Sequence, residues 1–357
     1  MPQETSFKVG FSADFLDQNR QPIFPDIGLS LLDSEPHISH EFLPEYRPEY
    51  AAGQLAGYDV LITLKPRITA ASLHGVERLC AIGRCGVGYD NVDLKACTEK
   101  DIAVYIAPEG VIRPIAESIV LLVLALSHNL LHKDRLIRKG RWSESTTKLG
   151  REPRDRTVGT VGLGNIASEA VRLLRSFGVQ RFLAFDPFAK AATFTSLGVT
   201  QVSLEELLRD SDYVLINCPL TAETKHLIGA RELGLMKRTA VLVNTARGPI
   251  IDQAALIHAL ESRAIGGAAL DVFEKEPLED DSPLLALDNV ILTSHSVGWT
   301  EELFRDLGRI DCVGAINVSR GIPPAHVVNR EVLERPGFLR KLEEYARRIG
   351  TGTARSL

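Results

Sequence analysis

The sequence predicts an α/β protein built from two doubly wound parallel sheets, and three observations support this fold class. Short runs rich in Val, Ile and Leu alternate with segments of helical spacing along most of the 357 residues. These runs are continuously apolar, which is typical of strands buried on both faces beneath helices. The alternation is interrupted once, between residues 113 and 156, and a chain of this length fits two domains.

The candidate strands fall into two groups on either side of that interruption. The first group comprises residues 7–11, 59–64, 79–82 and 102–106, and the second comprises residues 157–162, 181–185, 213–217, 240–244, 268–270 and 290–293. A long apolar helix over residues 113–131 is expected to link the two groups. A later amphipathic segment, with Leu303, Leu307 and Ile310 on one face, is expected to return to the first domain.

The domain boundaries follow from these groups. We expect a first domain of residues 1–110 and 299–330 and a second domain of residues 111–298. Residues 331–357 form a charged tail, for which the sequence predicts a solvated helix with a frayed end.

Composition and charge exclude several classes of protein. Hydrophobic residues make up 45% and charged residues 24% of the chain, as in ordinary globular proteins. The 41 Lys and Arg residues against 46 Asp and Glu residues leave a formal net charge of −5, so no basic excess attracts nucleic acid.

The five cysteines are scattered without a CxxC pair, which argues against a disulfide framework or a structural metal site and for a reducing compartment. Residues 1–14 lack the apolar core of a signal peptide, and the most apolar run, residues 119–126, is shorter than a membrane span. We therefore expect a cytoplasmic protein without a membrane partner.

A glycine-rich turn follows the first strand of the second group. In residues 157–167 (TVGTVGLGNIA), Gly162 and Gly164 come directly after the strand, and Asn165 and Ile166 open the next helix. The first glycine permits a tight turn, and the second lets a pyrophosphate approach the backbone. Free N–H groups at the start of the helix then face the anion. Glycines also mark ordinary turns, so the motif gains its weight from the strand–turn–helix context.

Asp186 stands at the end of the next strand. A carboxylate at this position accepts hydrogen bonds from the adenosine ribose hydroxyls and repels a 2′-phosphate, which favours NAD over NADP. The cation of Lys190 works against this preference, and the alternative for Asp186 is a turn residue at a strand end. The sequence therefore predicts NAD as the cofactor, with NADP less favoured.

Three polar residues follow the ends of later strands in the second group. Arg247 follows residues 240–244, Glu276 follows residues 268–270, and His295 follows residues 290–293. Taken singly, the arginine could be a surface ion pair, the glutamate a loop acid and the histidine a strand-end cap. Because ligands of open α/β sheets bind at the carboxyl ends of the strands, the three together predict a catalytic group.

These residue types fit the oxidation of a 2-hydroxy acid or the reduction of a 2-oxo acid. Loss of hydride from C2 requires removal of the hydroxyl proton, and histidine titrates near working pH. A neighbouring carboxylate fixes the histidine tautomer and stabilises the imidazolium. A guanidinium binds the substrate carboxylate and polarises the carbonyl.

The sequence resembles the D-isomer-specific 2-hydroxyacid dehydrogenase family, which includes D-3-phosphoglycerate dehydrogenase, glyoxylate/hydroxypyruvate reductase and the C-terminal binding proteins. The resemblance covers the chain from residue 7 to about residue 329. It rests on residues 86–93 (GVGYDNVD), 162–167 (GLGNIA), 219–224 (PLTAET), 243–248 (VNTARG), 269–277 (ALDVFEKEP) and 292–295 (LTSH).

The resemblance implies two Rossmann-like domains, the first flavodoxin-like and substrate-binding, separated by an active-site cleft. It implies that Arg247, Glu276 and His295 are the catalytic trio, with Arg247 and His295 also contacting the substrate. It places the N–H groups of Val87 and Gly88 on the substrate carboxylate and Asp271 on the nicotinamide amide. The residues implied to line the cofactor groove are Cys218, Pro219, Thr224, Thr245 and Ala246. A homodimer is also implied, with much of its contact made by residues 113–142.

Basic residues in the first domain raise the question of a second anionic group on the substrate. Lys65 and Arg67 follow a first-domain strand, where related enzymes place substrate-contacting groups, and Lys65 is therefore assigned as a substrate contact. Arg113, close to the hinge in the sequence, would complete a candidate cationic cluster. The alternative is that these are solvated loop cations. Trp299 either lines the substrate pocket or packs at the hinge.

Two functions of different classes remain open at this stage. The first is an NAD-dependent dehydrogenase that interconverts a small 2-hydroxy acid and its 2-oxo acid. The second is a binding protein that senses NAD(H) and recruits partners with little turnover, as the C-terminal binding proteins do.

Overall fold

The computed structural model describes residues 7–353. Within it the chain divides into two compact units, one made of Met1–Val111 with Trp299–Leu357 and the other of Ile112–Gly298. We refer to them as the first unit and the second unit. Each unit is built around one parallel sheet.

The first unit contains a five-stranded parallel sheet in the order β2-β1-β3-β4-β5. Its strands are β1 (Phe7–Phe11), β2 (Ile38–Phe42), β3 (Val60–Thr63), β4 (Ala81–Arg84) and β5 (Ala103–Ile106), and two short helices, α1 (Leu29–Asp33) and α2 (Leu94–Glu99), lie between them. Strand β3 is buried along its whole length, as expected for the centre of a covered parallel sheet. The order 2-1-3-4-5 is that of flavodoxin-like sheets.

A long helix begins at the end of the first unit and continues into the second. Helix α3 (Pro108–Ser127) starts with a proline, which suits the first helical position because its missing N–H has no partner there. The chain then turns at Asn129, which has a φ of 51°, and α4 (Leu130–Arg138) follows. The predicted single helix over residues 113–131 is therefore wrong at both ends, because the helix begins at Pro108 and because the left-handed Asn129 separates residues 130–131 from it.

Helix α3 also corrects the sequence-based view that the most apolar segment of the chain is too short to span a membrane. By length and composition alone it is apolar enough to cross a membrane, and half of its most apolar stretch is buried inside the protein. The run at residues 119–126 is thus part of a 20-residue helix, which by length alone could span a membrane although the run itself is too short. Its buried side chains, Ala116, Ile119, Leu122 and Val123, belong to the core of the second unit.

The second unit contains a seven-stranded parallel sheet in the order β12-β11-β10-β9-β6-β7-β8. Its strands are β6 (Thr157–Val161), β7 (Arg181–Phe185), β8 (Thr200–Gln201), β9 (Tyr213–Ile216), β10 (Val241–Asn244), β11 (Gly267–Leu270) and β12 (Val290–Leu292). The helices between them are α5 (Asn165–Arg175), α6 (Ala191–Leu197), α7 (Leu204–Asp210), α8 (Ala230–Leu235) and α9 (Gln253–Glu261). The strand order reverses between β6 and β9, which gives this sheet the switch point of a doubly wound nucleotide-binding fold.

Two further helices belong to the first unit. Helix α10 (Glu301–Ser319) begins at Thr300, whose side chain accepts the N–H of Leu303, and it packs on β3 and β4. Helix α11 (Pro336–Thr353) covers the segment predicted to be a solvated tail. The helix is as predicted, but the prediction that it is solvated is wrong because Phe338, Leu342 and Tyr345 lie about one turn apart and are buried at 0%, 4% and 4% exposure.

Two strands have no counterpart in the predicted set. Strand β2 is an edge strand with a half-buried pattern, and its Ser39, His40 and Glu41 hide the apolar signal. Strand β8 has only two residues, both exposed, at the other sheet's edge. Edge strands are covered less completely than central ones, so their sequences need not be apolar.

Candidate active site

The functional residues predicted in the second unit follow the carboxyl ends of its strands. Gly162 follows β6, Asp186 follows β7, Cys218 follows β9, Thr245 follows β10, Asp271 follows β11 and His295 follows β12. Carboxyl ends of parallel strands share one edge of a sheet, so these positions lie along one edge. This places the predicted cofactor and catalytic residues of the second unit on the same side.

The glycine-rich turn leaves room for a phosphate group. Gly162 has a φ of 93°, and a Cβ there would come within 2.8 Å of the Asn217 backbone, so only glycine fits. Gly164 precedes α5, and among the described residues no atom lies within 4 Å of the place its Cβ would take. The first N–H groups of α5, from Asn165 and Ile166, have no partner within the helix. The turn therefore fits the pyrophosphate of a dinucleotide.

The Asp186 carboxylate organises this turn. Its Oδ2 accepts the N–H of Leu163 at 2.8 Å, and its Oδ1 accepts the N–H groups of Phe188 and Ala189 at 2.8 and 3.0 Å. The side chain stays half-buried, and each carboxylate oxygen can accept more than one hydrogen bond. Both predicted roles, turn residue and ribose acceptor, are thus compatible with the same geometry.

The loop after β9 is closed by a threonine. Thr224 Oγ1 donates to the Pro219 carbonyl at 2.7 Å and accepts the N–H of Thr221 at 2.7 Å. Cys218, at the start of this loop, is half-buried, and burial raises the pKa of its thiol to about 11. A neutral thiol suits a wall of the groove rather than a nucleophile.

Asn244, which the sequence analysis did not single out, shapes the loop that carries Arg247. Its Oδ1 accepts the N–H of Ala246 at 3.0 Å, and its Nδ2 donates to the carbonyl of Arg247 at 3.0 Å. These bonds fix the turn through Thr245 and Ala246. The signal was an asparagine at a strand end, where its side chain commonly hydrogen-bonds the following backbone.

A close backbone approach joins this loop to the one after β11. A Cβ on Gly248 would lie 1.9 Å from the carbonyl carbon of Phe273, so the two backbones touch and only glycine fits. Arg247 directly precedes this contact and Glu276 lies three residues beyond it. The contact therefore brings the loops of two predicted catalytic residues together.

His295 and Glu276 form a hydrogen-bonded pair. His295 Nδ1 lies 2.8 Å from Glu276 Oε2, and the other carboxylate oxygen accepts the N–H of Phe273 at 3.0 Å. A carboxylate on Nδ1 selects the tautomer with its proton on that nitrogen and leaves Nε2 for another partner. His295 and Glu276, which the sequence predicts to be neighbours, are therefore in hydrogen-bond contact.

The charge state of Glu276 follows from its surroundings. Burial acts to raise the pKa of this carboxyl, but the His295 hydrogen bond and charge, the Phe273 N–H and the Arg247 guanidinium together hold the pKa below its usual value. Glu276 is therefore ionised at neutral pH. Because the Arg247 guanidinium lowers the pKa of Glu276 through its charge, Arg247 interacts electrostatically with the His295–Glu276 pair.

Asp271 holds the loop that carries His295. Its Oδ1 accepts the hydroxyl of Thr293 at 2.7 Å and the N–H groups of Ser296 and Val297 at 2.9 and 3.1 Å. Its carbonyl accepts the N–H of His295 at 2.8 Å, and His295 has a φ of 54°. The structure gives Asp271 a positioning role, and its contact with a nicotinamide amide stays a prediction.

In the first unit, Val87 and Gly88 follow β4. Both are half-buried, and no acceptor for their backbone N–H groups occurs among residues 7–353. Two neighbouring free N–H groups make a concave donor site of the kind that binds carboxylates. This geometry fits the predicted substrate contact.

The basic residues predicted near the substrate have different environments. Lys65 Nζ lies 5.0 Å from the centre of the Trp299 ring, a cation–π contact, and Trp299 packs edge-on against Phe24 and Phe304. Arg113, by contrast, pairs with both Glu117 and Glu169. The structure therefore keeps Lys65 as a candidate contact and gives Arg113 a structural role.

Comparison with known proteins gives the family. The model of the D-isomer specific 2-hydroxyacid dehydrogenase NAD binding domain matches residues 120–297. The glyoxylate reductase of Korarchaeum cryptofilum is 36% identical over 323 residues, which cover 88% of this chain and 96% of that protein.

Two further relatives extend the comparison. The D-3-phosphoglycerate dehydrogenase of Archaeoglobus fulgidus is 35% identical, and the match covers 84% of this chain but only 55% of that longer protein. The D-lactate dehydrogenase of Aquifex aeolicus, solved with NAD and lactic acid, superposes with a TM-score of 0.75 at 26% identity, covering 88% of this chain and 96% of that one. The second unit is thus an NAD-binding domain, and the chain belongs to the D-isomer specific 2-hydroxyacid dehydrogenase family.

Proposed function

We propose that this protein reduces a small 2-oxo acid to its D-2-hydroxy acid with NADH, and catalyses the reverse reaction with NAD. The observation that carries the proposal is the 2.8 Å contact between His295 Nδ1 and Glu276 Oε2 at the carboxyl edge of the NAD-binding sheet. The Arg247 guanidinium acts on the same carboxylate. His295 is the proposed acid, Glu276 is the carboxylate that orients it, and Arg247 is the cation that binds the substrate carboxylate.

Each side chain has a separate role in the proposed reaction. Bound NADH supplies the hydride for C2 of the substrate. His295 donates the proton from Nε2 to the developing alkoxide oxygen, while Glu276 holds Nδ1 and stabilises the imidazolium. Arg247 binds the substrate carboxylate and polarises the carbonyl. In the oxidative direction His295 takes the hydroxyl proton.

The first unit supplies the proposed carboxylate contact through the N–H groups of Val87 and Gly88. Lys65 adds a cation at the end of β3, held over Trp299. Arg113 is paired with two glutamates, so a cationic cluster that binds a second anionic group of the substrate is less well supported. We therefore propose a substrate with few atoms beyond its 2-oxo acid group, and glyoxylate, named in the Korarchaeum relative, is the first candidate.

We also propose that NAD is preferred over NADP. The Asp186 carboxylate follows β7 next to the glycine-rich turn, and a negative charge there disfavours a 2′-phosphate. Lys190, which could offset this charge, is exposed.

The assembly and location are further parts of the proposal. A homodimer is supported by exposed apolar side chains on α3, α4 and the following segment: Leu121, Leu130, Ile137, Trp142 and Leu149. A reducing, cytoplasmic location is supported by the five free cysteines.

The proposal is tested by NADH oxidation with purified protein and a panel of small 2-oxo acids that includes glyoxylate, hydroxypyruvate and pyruvate. We expect turnover by the wild type and a fall in kcat of about 10²–10⁴-fold in His295→Ala, with little change in the affinity for NADH. The control is His258→Ala, which alters an exposed histidine on α9. Equal losses in both variants would remove the catalytic role of His295.

The same assay separates the enzyme from an NAD(H)-sensing binding protein. An enzyme turns over at least one acid of the panel. A sensor binds NADH, seen as enhanced nicotinamide fluorescence, yet oxidises it with none of them.

A further inference from the structure

Three loops of the second unit meet at Glu274. They follow strands β9, β10 and β11, and they carry Thr224, Arg247 and Glu276, respectively. Glu274 lies in the third loop, two residues before Glu276, and takes no part in the proposed reaction. Its contacts nevertheless bear on where the Glu276 carboxylate lies.

The carboxylate of Glu274 bonds to both of the other loops. Its Oε1 lies 2.7 Å from Nε2 of His226, which belongs to the loop after β9. The same oxygen accepts the N–H of Gln253, the first residue of α9, at 3.2 Å, and Gln253 Oε1 accepts the N–H of Glu274 at 3.2 Å. The first N–H groups of a helix have no acceptor within it, so Gln253 has this bond to give. One oxygen therefore links the loop of Glu276 to the two loops that precede it.

The backbone around His226 is arranged for this contact. His226 has a φ of 53°, in the left-handed region that few residues other than glycine adopt. Its N–H donates to the Pro249 carbonyl at 2.8 Å, and the N–H of Ile228 donates to the Ile250 carbonyl at 3.1 Å. These bonds hold the loop after β9 against the loop after β10. Strain of this kind persists only where the surroundings impose it, and it is concentrated at functional sites.

The Glu276 carboxylate follows the backbone that Glu274 anchors. The close approach of Gly248 fixes the chain at Phe273, the residue before Glu274. The N–H of Phe273 donates to Glu276 Oε1 at 3.0 Å, and Glu276 Oε2 lies 2.8 Å from His295 Nδ1. Loss of the Glu274 bonds leaves this segment free to shift. A shift of about 1 Å at a reacting group can cost about 100-fold in rate.

We propose that Glu274, with His226 as its partner, is a positioning residue that holds the Glu276 carboxylate against His295. It acts through Glu276 on the orientation of the imidazole, and the inference rests on the proposed dehydrogenase function. The side chains of His226 and Glu274 are 45% and 33% exposed, so their contact adds little to the free energy of unfolding. Its effect is on geometry.

The test is a double-mutant cycle of the wild type, Glu274→Ala, Glu276→Ala and the double variant. NADH oxidation is measured with the acid of the panel that the wild type reduces fastest. Glu276→Ala retains His295 and Arg247, so its turnover is measurable at higher protein concentration. We expect Glu274→Ala to lower kcat by about tenfold or more in the wild type, but by less than about twofold in the Glu276→Ala background.

Binding of the cofactor and the substrate separates positioning from general damage. In Glu274→Ala we expect the affinity for NADH, measured by fluorescence, and the KM for the acid to stay within about threefold of the wild type, so that the loss falls on kcat. His226→Ala should lower kcat as Glu274→Ala does. Glu274→Gln keeps an oxygen in the place of Oε1, and it should restore kcat to within about threefold of the wild type.

The matched control is Glu279→Ala. Glu279 is an exposed carboxylate farther along the same loop, and it pairs with Lys275 within that loop. Its removal changes the net charge as Glu274→Ala does, and we expect it to leave kcat within about twofold. Circular dichroism of each variant shows that the fold is retained.

Three results would overturn the inference while the wild type is active. The first is an equal loss of kcat in both backgrounds of the cycle, which would mean that Glu274 acts independently of Glu276. The second is a loss in Glu279→Ala as large as that in Glu274→Ala. The third is a Glu274→Ala variant with unchanged kcat and weakened NADH binding. A wild type that reduces no acid of the panel would instead remove the proposed function, and this inference with it.

Discussion

His295 takes a backbone conformation that sequence reasoning did not foresee. Its φ of 54° is left-handed, a region that few residues other than glycine adopt. The loop is held there because Asp271 binds residues on both sides of the imidazole, through Thr293 and through the N–H groups of Ser296 and Val297. Strain of this kind persists only where the surroundings impose it, and it is concentrated at functional sites. The strain at His295 therefore adds to the case for its role.

Asp186 is the residue on which cofactor preference depends. Asp186→Asn removes the charge and keeps one of the two acceptor oxygens, so it also loses either the bond to the Leu163 N–H or the bonds to the Phe188 and Ala189 N–H groups. We expect the ratio of kcat/KM for NADH to that for NADPH to fall by about tenfold, because repulsion of the 2′-phosphate is lost. The measurement is steady-state kinetics with both cofactors. Asp210→Asn, on a half-exposed carboxylate at the end of α7 that pairs with Arg181, is the control, and an unchanged ratio in Asp186→Asn would assign cofactor choice to another group.

Asp311 is a fully buried acid in the first unit. It lies on α10, and neither carboxylate oxygen has an N–H or O–H donor among the described residues. The groups that act on it are Arg84 at the end of β4 and the Cys85 thiol that follows it, Tyr105 on β5, and the neighbouring Cys312 on α10. Burial raises the pKa of Asp311 to about 7, against a smaller lowering by Cys85 and Arg84.

This shift makes the stability of the protein depend on pH. The folded state holds the Asp311 proton more tightly than the unfolded chain, whose carboxyl titrates near 4, so the contribution to stability is present below about pH 4 and is lost as pH rises to about 7. Asp311→Asn removes that loss. The quantity to compare is the melting temperature of Asp311→Asn minus that of the wild type. We expect this difference to be several degrees larger at pH 8 than at pH 5. Thermal melts at both pH values check this, with the half-exposed Asp306→Asn on the same helix as the control. An offset that does not vary with pH would contradict it.

At the scale of elements, the sequence predicts central strands well and edges poorly. Strands β3, β6 and β9 are buried along their whole length because they are covered on both faces, and the apolar runs VLI in β3 and YVLI in β9 show this in the sequence. Strand β2 carries Ser39, His40 and Glu41, since an edge strand has a neighbour on one side only. The division of α3 from α4 at Asn129 depends on a single backbone conformation, which no periodicity reveals.

Helix α11 shows how a charged sequence can hide a buried face. Its Tyr345 hydroxyl lies 2.9 Å from Asp59 Oδ1, and its Lys341 Nζ donates to the carbonyls of Leu79, Lys100 and Asp101. The surrounding Glu and Arg residues dominate the composition, but the apolar positions recur at helical spacing. The helix is therefore a structural part of the first unit.

Phe338 and Leu339 test that conclusion with a matched pair on α11. Phe338 is 0% exposed and Leu339 is 42% exposed. We expect Phe338→Ala to lower the free energy of unfolding by about 3–5 kcal/mol and Leu339→Ala to change it by less than about 1 kcal/mol. Urea denaturation followed by circular dichroism measures both. Equal, small effects would mean that the helix is not packed in solution.

At the scale of the whole molecule, the candidate site could be predicted because the topology of the parallel sheet brings its residues to one edge. Arg247, Glu276 and His295 are far apart in the chain, but each follows a strand of the same parallel sheet, so order along the chain predicts their shared edge. Contacts that depend on three-dimensional packing were out of reach of the sequence. The Gly248 approach to Phe273 and the Asn244 bonds are of this kind.

The proposed homodimer is the remaining property at this scale, and exposed apolar residues locate its contact. Ile137 on α4 is 50% exposed and Trp142 is 75% exposed, in a segment whose neighbours are largely charged. Large apolar side chains exposed in this way are costly in water, and burial against a second copy removes that cost. A charge at the centre of an apolar contact is strongly unfavourable when it has no partner.

We therefore expect sedimentation velocity to give a wild-type mass near twice the 39.2 kDa of one chain, and Ile137→Asp/Trp142→Asp to shift it toward one chain. Leu285→Asp alters another exposed leucine of the second unit, at 56% exposure, and should leave the dimer intact. Far-ultraviolet circular dichroism of each variant shows whether the fold is retained. A wild type that sediments as a single chain at micromolar concentration would contradict the dimer. A double variant that stays dimeric would move the contact away from α4 and the segment that follows it.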